Sequence, residues 1–369
     1  MNPELERKER LSKYEGWRDF AEGEPDPEPD LLTKKQIRAL SDAARFEYNR
    51  ARGSYHGNIL VRTREVDIAM EHLADQVESA MQGPDRVKGA SAIDAAPSVG
   101  KSTILTRFGR EFHRSQIARY GRYLDDGDTL HIPVCHIGFT GKMTTKGLNG
   151  KIFDFYNHPS VHDRKRRPAT DDGLAAEAAD AAVRHGTRLF VVDDVHFLKP
   201  LTKDGGEVAN QLKWIANEYP VTFVYAGVNL NDKGILEEGS ILETAQTARR
   251  WTLIPLNPFT IFDPVREREW EQLIRSIERR VVLAEAYQGM LLSISDYLFA
   301  RSTGYIGSLM TLITRGITRA IRTGAERLDQ ELLDRVLTDT AAERRRVETA
   351  AAVQVFRETG RIPPWAVSA

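Results

Sequence analysis

One short segment constrains the fold of this chain more than any other. The residues AAPSVGKS, numbered 95–102, lie between a short strand pattern over 90–94 and a helical pattern over 101–120. They match the phosphate-binding pattern G-x-x-x-x-G-K-[ST], except that Ala95 stands in place of the first glycine. In that pattern, backbone N–H groups and a helix N-terminus surround phosphate oxygens. The segment therefore predicts a loop that joins a strand to a helix.

The residue types in this loop predict its chemistry. Lys101 would reach the β- and γ-phosphates of ATP, and the Ser102 hydroxyl would bind Mg²⁺. Gly100 would let the backbone pass close to the phosphates. An alanine at position 95 fits only if its φ stays negative, and the alternative is a chance GKS at a helix start. The predicted nucleotide-binding residues are Ala95, Ala96, Pro97, Ser98, Val99, Gly100, Lys101, Ser102 and Thr103.

A second motif ends a predicted buried strand. Residues 188–194, RLFVVDD, are largely apolar up to Asp193 and Asp194. In a phosphate-loop enzyme the first acid holds Mg²⁺, and the second can orient or deprotonate a water molecule. Strands that end in acidic turns are common, so this motif gains weight only from the loop upstream. Asp194 is one methylene shorter than the Glu of many such enzymes, which predicts ATP binding more strongly than fast hydrolysis.

Strand and helix patterns alternate from Ser54 onward and indicate an α/β fold, with a parallel central sheet flanked by helices. After Pro264 the strand patterns largely stop, which predicts a smaller all-α domain. Predicted strands lie at 90–94, 130–139, 188–192 and 221–226, and predicted helices at 66–79, 101–120, 173–185, 208–217, 267–286, 291–301, 306–322 and 329–347. The predicted domains are a charged extension outside the main core (1–53), a nucleotide-binding domain (54–262), a helical lid (263–348) and a tail (349–369). The extension is either a solvated arm or a docking arm.

Composition excludes several classes of protein. A chain of 369 residues with 41% hydrophobic residues can form a core, so wholesale disorder is excluded. The 52 Lys+Arg against 53 Asp+Glu exclude a globally basic nucleic-acid coat, but not a local basic patch. The single cysteine, Cys135, excludes an intramolecular disulfide and a Cys-rich zinc site. With no signal-like start and no apolar run of about 20 residues, we expect a soluble, cytoplasmic protein without a membrane partner.

Several segments together resemble one family. AAPSVGKST and RLFVVDDVHFL, followed by PVTFVYAGVN, ARRWTLIPLNPF and RSTGYIGSLMTLITRGITRAI, resemble the TniB/TnsC-type AAA+ ATPases of DNA transposition systems. The resemblance spans roughly Tyr55 to Leu337, and the Gly304–Gly307 segment is its more specific part. It implies an AAA+ P-loop fold that binds ATP and Mg²⁺. It also implies a homo-oligomer that assembles on target DNA and recruits or activates a transposase.

The resemblance also implies roles for residues outside the two motifs. Asn229 would be a γ-phosphate sensor, or alternatively an asparagine chosen for its turn geometry. Arg249 and Arg250 precede the last core strand, where an arginine finger would enter the neighbouring subunit's site, although a solvated pair is the alternative. Arg301 would approach the nucleotide from the lid.

DNA contacts are predicted from a loop after the second core strand. Its residues Lys142, Thr144, Thr145 and Lys146 combine cations with hydroxyls, which suits phosphate contacts, and a solvated loop is the alternative. The basic run 164–167 is a secondary candidate. Without a stacking platform, we expect backbone binding with little sequence specificity. Two other functions stay open: a nucleotide-gated interaction scaffold with little hydrolysis, and a helicase-loader-like ATPase.

Overall fold

The computed structural model describes residues 10–81, 90–139, 143–156, 170–195, 221–228, 230 and 251–367. The chain divides into two compact units. The first comprises Met1–Gly23, Ile68–Pro97 and Lys101–Leu256, and the second comprises Glu24–Asp67, Ser98–Gly100 and Asn257–Ala369.

The described helices and strands are numbered in chain order. The strands are β1 (Ala90–Ala95), β2 (Val134–Gly138), β3 (Leu189–Asp193), β4 (Thr222–Gly227) and β5 (Trp251–Leu256). The helices are α1 (Tyr14–Glu22), α2 (Lys34–Ala39), α3 (Asp42–Gly57), α4 (Arg64–Met81), α5 (Lys101–Tyr120), α6 (Thr145–Tyr156), α7 (Asp171–Arg184), α8 (Pro264–Glu278), α9 (Ser295–Ser302), α10 (Ile306–Thr323), α11 (Gln330–Asp334), α12 (Thr340–Thr359) and α13 (Pro364–Val367). None of these described helices is both long and apolar enough to cross a membrane.

The first unit is built on a parallel sheet of five described strands in the order β2-β3-β4-β1-β5. Ala92 of β1 pairs with Tyr225 of β4 on one side and with Leu253 of β5 on the other. Strands β1 to β4 are largely apolar and buried, as expected of a parallel sheet covered by helices. Helix α5 packs against β1, β2, β3 and β4, and α6 packs against α7 and β2. The predicted α/β architecture is confirmed.

Helix α1 corrects the expectation that residues 1–53 lie outside the main core. Trp17 is fully buried in the first unit, where its indole N–H donates to Nδ1 of His113 at 3.3 Å. Its ring stacks on His136 with centroids 5.4 Å apart. A Cβ on Gly109 of α5 would lie 2.8 Å from the Trp17 ring, so only glycine allows this close approach. Apolar burial therefore holds α1 in place, despite the many charges around it.

The second unit takes in the rest of that predicted extension. Arg52 of α3 is fully buried and forms an ion pair with Glu326 at 2.7 Å. The main chain N–H of Val282 donates to Nε2 of His56 at 2.9 Å. Residues 24–67 are therefore part of a folded unit, and neither a solvated arm nor a docking arm describes them.

The core of the second unit is helical, as predicted, but its helix boundaries differ from the prediction. It is formed by the apolar faces of α8, α9, α10 and α12, and includes Trp270, Phe299 and Leu312. The predicted helix 329–347 is two helices, α11 and α12. Helix α12 continues to Thr359 with Val353 buried, so part of the predicted tail from 349 is helical and packs against the core. The predicted helix 208–217 lies outside the described residues.

Three residues of the phosphate-loop segment, Ser98–Gly100, belong to the second unit. Within that unit the N–H of Gly307, at the start of α10, donates to the carbonyl oxygen of Ser98 at 2.8 Å. This hydrogen bond connects the phosphate-loop segment to the Gly304–Gly307 segment, which is the more specific part of the family resemblance.

Candidate nucleotide-binding site

The segment 95–102 forms a loop between β1 and α5, as its position in the sequence predicts. Ala95 is the last residue of β1, and the left-handed φ angles fall on Ser98 (64°) and Gly100 (95°). The condition on Ala95 is therefore met, since the loop needs no glycine at that position. A non-glycine residue with positive φ, such as Ser98, is uncommon. Such strained residues cluster at ligand-binding sites.

Lys101 is the buried cation of this loop. Its side chain is only 8% exposed, and Nζ donates to the carbonyl oxygens of Ala95 at 2.8 Å and Ala96 at 2.6 Å. An ammonium has three N–H donors, so one is left for a phosphate oxygen. Burial lowers the pKa of Lys101, while the nearby carboxylates of Asp193 and Asp194 act in the opposite direction. The lysine therefore lies in a place where an anion would strengthen its charged form.

The two acids lie at the carboxyl end of β3. Asp193 is its last residue, and its Oδ1 accepts the N–H of Asp194 at 2.8 Å. Asp194 has a φ of 59°, a region that Asp tolerates better than most residues. Because β4 separates β1 from β3, the phosphate loop and these acids follow strands about 10 Å apart at the same sheet edge.

The oxygen donors fit Mg²⁺ held together with phosphates. Ser102 is exposed at the start of α5, and Asp193 is half-buried. Among the described residues, no cluster of three or more His, Cys, Asp or Glu could hold a metal ion by itself. Mg²⁺ commonly takes one or two carboxylates, with phosphate oxygens and water as its other ligands. The donor set therefore suits a magnesium ion bound with a nucleotide.

Asp94 is a site residue that the sequence motifs did not reveal. Its Oδ1 accepts the N–H of Leu230 at 3.0 Å, which ties the end of β1 to the turn after β4. In the sheet register, Asp94 pairs with Gly227. The feature of the sequence that could have indicated this role is that Asp94 directly precedes the phosphate-binding pattern. Asn229, the predicted sensor, lies outside the described residues.

The predicted DNA loop is described in part. The Thr144 hydroxyl accepts the N–H of Gly147 at 3.1 Å and so caps α6, while Lys146 is exposed on that helix. The hydroxyl oxygen of Thr145 is buried. Lys142 and the basic run 164–167 lie outside the described residues.

Arg301 has a structural role, which corrects the expectation that it approaches a nucleotide. Its side chain is 2% exposed, and it donates to the carbonyl oxygens of Leu333 at 3.0 Å and Val336 at 2.6 Å. It also forms an ion pair with Glu343 at 3.1 Å. All of these contacts lie within the second unit. Through them the guanidinium of Arg301 joins α9 to the start of α12. The predicted fingers Arg249 and Arg250 lie outside the described residues.

Comparisons with known proteins agree with this arrangement. Residues 85–232 match the family model of the AAA domain. The ORC1 protein of Aeropyrum pernix, solved in complex with DNA, is 15% identical with a TM-score of 0.52, over 85% of this chain and 72% of that one. The chain has the AAA+ fold. The Aeropyrum pernix ORC2 protein, solved as ADPNP-ADP complexes, is 11% identical with a TM-score of 0.51, over 74% of this chain and 67% of that one.

No curated protein matches the sequence. The domain match, the sheet order and the two structural neighbours agree on the AAA+ fold.

Proposed function

We propose that this AAA+ protein binds ATP with Mg²⁺ at residues 95–103 and hydrolyses it slowly. The observation that carries the proposal is Lys101, buried at the end of a strained loop and facing the charges of Asp193 and Asp194. Burying a charged ammonium costs desolvation free energy, which a phosphate oxygen bound at the third N–H donor would help to offset.

The residues of the site would divide the work. Lys101 would hold the terminal phosphates, and Ser102 and Asp193 would hold Mg²⁺, which neutralises phosphate charge when bound. Asp194 would accept a hydrogen bond from the attacking water and orient it. In this proposal Asn229 senses the γ-phosphate, and Arg249 or Arg250 acts on the nucleotide of a neighbouring subunit.

The proposed biological role is regulation of DNA transposition. In this role the protein oligomerises on target DNA and recruits or activates a transposase. The motif resemblance to TniB/TnsC-type ATPases supports this role, and so does the fold shared with an ORC1 protein solved on DNA. Lys142 and Lys146 remain the proposed backbone contacts, and Thr144 would act through its cap on α6. The hydroxyl of Thr145 is buried, which corrects its prediction as a phosphate contact.

A nucleotide-gated scaffold is the second candidate. The short side chain of Asp194 and its left-handed backbone favour it, because both limit how far the carboxylate reaches towards a water molecule. A scaffold would bind ATP and change its protein contacts without DNA-stimulated turnover.

The test compares ATP binding by two lysine variants and then measures the response of the wild-type protein to DNA. Lys101→Ala should abolish ATP binding, because it removes the cation that would contact the phosphates, whereas Lys151→Ala on α6 should leave binding unchanged. For the wild-type protein, DNA binding and DNA-stimulated turnover at low salt would support the proposed role, as would ordered assemblies imaged with DNA and a non-hydrolysable ATP analogue. Tight ATP binding by Lys101→Ala would contradict the site. ATP binding without any response to DNA would favour the scaffold.

A further inference from the structure

One face of α10 carries a row of arginines. Arg315, Arg319 and Arg322 follow one another at spacings of four and three residues, so they lie on the same side of the helix. The opposite side is buried and includes Ile313 and Ile317. The helix contains no Asp or Glu. No acidic side chain of the same helix therefore neutralises the three positive charges.

Contacts of the three arginines with other described elements go to main-chain carbonyls and not to acids. Nη1 of Arg315 donates to the carbonyl oxygen of Leu337 at 2.7 Å, and Nη1 of Arg319 donates to that of Arg335 at 3.3 Å. Within the described ranges, none of the three forms an ion pair. A guanidinium has five N–H donors, so these contacts hold two of the side chains in place and leave most of their donors available.

Two other exposed arginines of the second unit differ in this respect. Arg275 pairs with Glu271 at 3.1 Å, and Arg327 pairs with Asp329 at 2.9 Å. Like charges four residues apart destabilise a helix. The helix dipole favours a cation in the last turn, which accounts for Arg322 but not for three arginines over two turns.

We propose that Arg315, Arg319 and Arg322 form a contact surface for the phosphate backbone of duplex DNA, in addition to the loop 142–146. The inference rests on the proposed function. Arg315 and Arg322 are about 10.5 Å apart along the helix axis, a distance that covers about three phosphate steps at 3.4 Å per strand. Guanidinium groups match phosphate oxygens in a bidentate geometry. Because the surface reads phosphates, it adds affinity without sequence specificity.

The experiment measures the affinity of the full chain for two unrelated duplexes over a salt series with ATP present. Arg322→Ala is the main variant, because Arg322 makes no hydrogen bond within the described ranges and its removal should not disturb folding. Removing one phosphate contact should reduce the salt slope by about 0.9. Arg315→Ala with Arg322→Ala should therefore reduce the slope by about twice that, with weaker binding of both duplexes alike. The matched control Arg275→Ala removes the same charge from α8 and should change neither quantity, while Arg322→Lys should retain most of the slope.

Each other outcome overturns the inference in a distinguishable way. An unchanged slope in the double variant, with normal DNA binding by the wild type, overturns this surface alone. Failure of the wild type to bind any duplex at low salt overturns the DNA part of the proposed function as well. If duplex affinity is unchanged but binding to poly-glutamate weakens, the surface serves an acidic polypeptide instead.

Discussion

At the scale of single residues, the backbone of Asp194 matters as much as its carboxylate. With a φ of 59°, this position favours Asp, Asn or Gly over Glu. The N–H of Asp194 is held by Asp193 Oδ1, so the two acids form one local unit. The conformation therefore gives a physical reason for the aspartate at this position.

We predict that Asp194→Asn binds ATP normally but loses turnover by about 10²- to 10⁴-fold, since the amide cannot accept a proton from water. Asparagine has the same shape and tolerates the left-handed backbone, so folding should be unaffected. Steady-state turnover and ATP titration of the same preparation check this. Turnover close to that of the wild type would show that Asp194 is not the base.

The sequence predicts the site where the chemistry follows from local spacing. The loop, Lys101, Ser102 and the acids after β3 are all recognisable from a strand followed by a turn. Asp94 and Trp17 act through partners far away in the chain, Leu230 and His113, and local patterns cannot reveal such contacts. For Arg301 the local pattern predicts too much. Its position near a recognised motif predicts a contact with the nucleotide, whereas in the structure it donates to backbone carbonyls.

At the scale of elements, Arg301 and Glu343 join α9 to α12. Burial raises the pKa of Glu343, but hydrogen bonds from Thr338 and Arg301 outweigh it and lower the pKa to about 2. We predict that Arg301→Ala lowers the free energy of unfolding by about 3 kcal/mol, because it leaves two carbonyls without their donor and removes the buried cation that pairs with Glu343. Urea unfolding checks this against Arg275→Ala, which lies on the surface. A decrease below about 1 kcal/mol would contradict the structural role.

His56 connects the stability of the second unit to pH. Burial, followed by the charge of Arg52, lowers its pKa from 6.5 to about 4. Because the folded pKa lies below the unfolded value, the contribution of His56 is complete above pH 6.5 and is lost as the pH falls towards 4.

We predict that His56→Gln reduces the pH dependence of unfolding between pH 6.5 and 4, by up to about 1.4 kcal/mol per pH unit. Glutamine can still accept the N–H of Val282 but does not titrate in this range. Urea unfolding at several pH values measures the difference, with the exposed His72→Gln as control. Equal pH slopes for His56→Gln and the wild type would contradict the assignment.

Strands were predicted to within a few residues, whereas several helix ends were not. β2 begins at Val134 rather than 130, since Pro133 has no N–H for the ladder. Helix α8 begins at Pro264, where Asp263 Oδ1 accepts the N–H groups of Val265 and Arg266. It ends at Glu278, whose carboxylate accepts N–H groups from residues 289 and 291. Such contacts form only in the folded chain, so the 3.6-residue spacing of apolar residues in the sequence does not predict them.

At the scale of the whole molecule, assembly is the open prediction. Arg249 and Arg250 directly precede β5, an edge strand of the described sheet. We predict that one of the variants Arg249→Ala and Arg250→Ala binds ATP but fails in both ATP-dependent assembly and turnover, because the phosphoryl charge loses its stabiliser. Size-resolved assembly and turnover of each single variant measure this. Mixing the failing variant with Lys101→Ala subunits should restore some turnover, and normal behaviour of both variants would place the finger elsewhere.

The strand order has a consequence for how the protein is made. During translation β1 leaves the ribosome long before β4 and β5, its described neighbours, which start at Thr222 and Trp251. In the nascent chain β1 therefore has no described partner until about residue 227, and one of its sides stays unpaired until about residue 256. Such long-range pairing folds slowly. Arg52 lacks its ion-pair partner for longer still, until Glu326 has been synthesised. Premature termination before Leu256 would therefore release a chain in which neither unit is complete, and which depends on chaperones or is degraded.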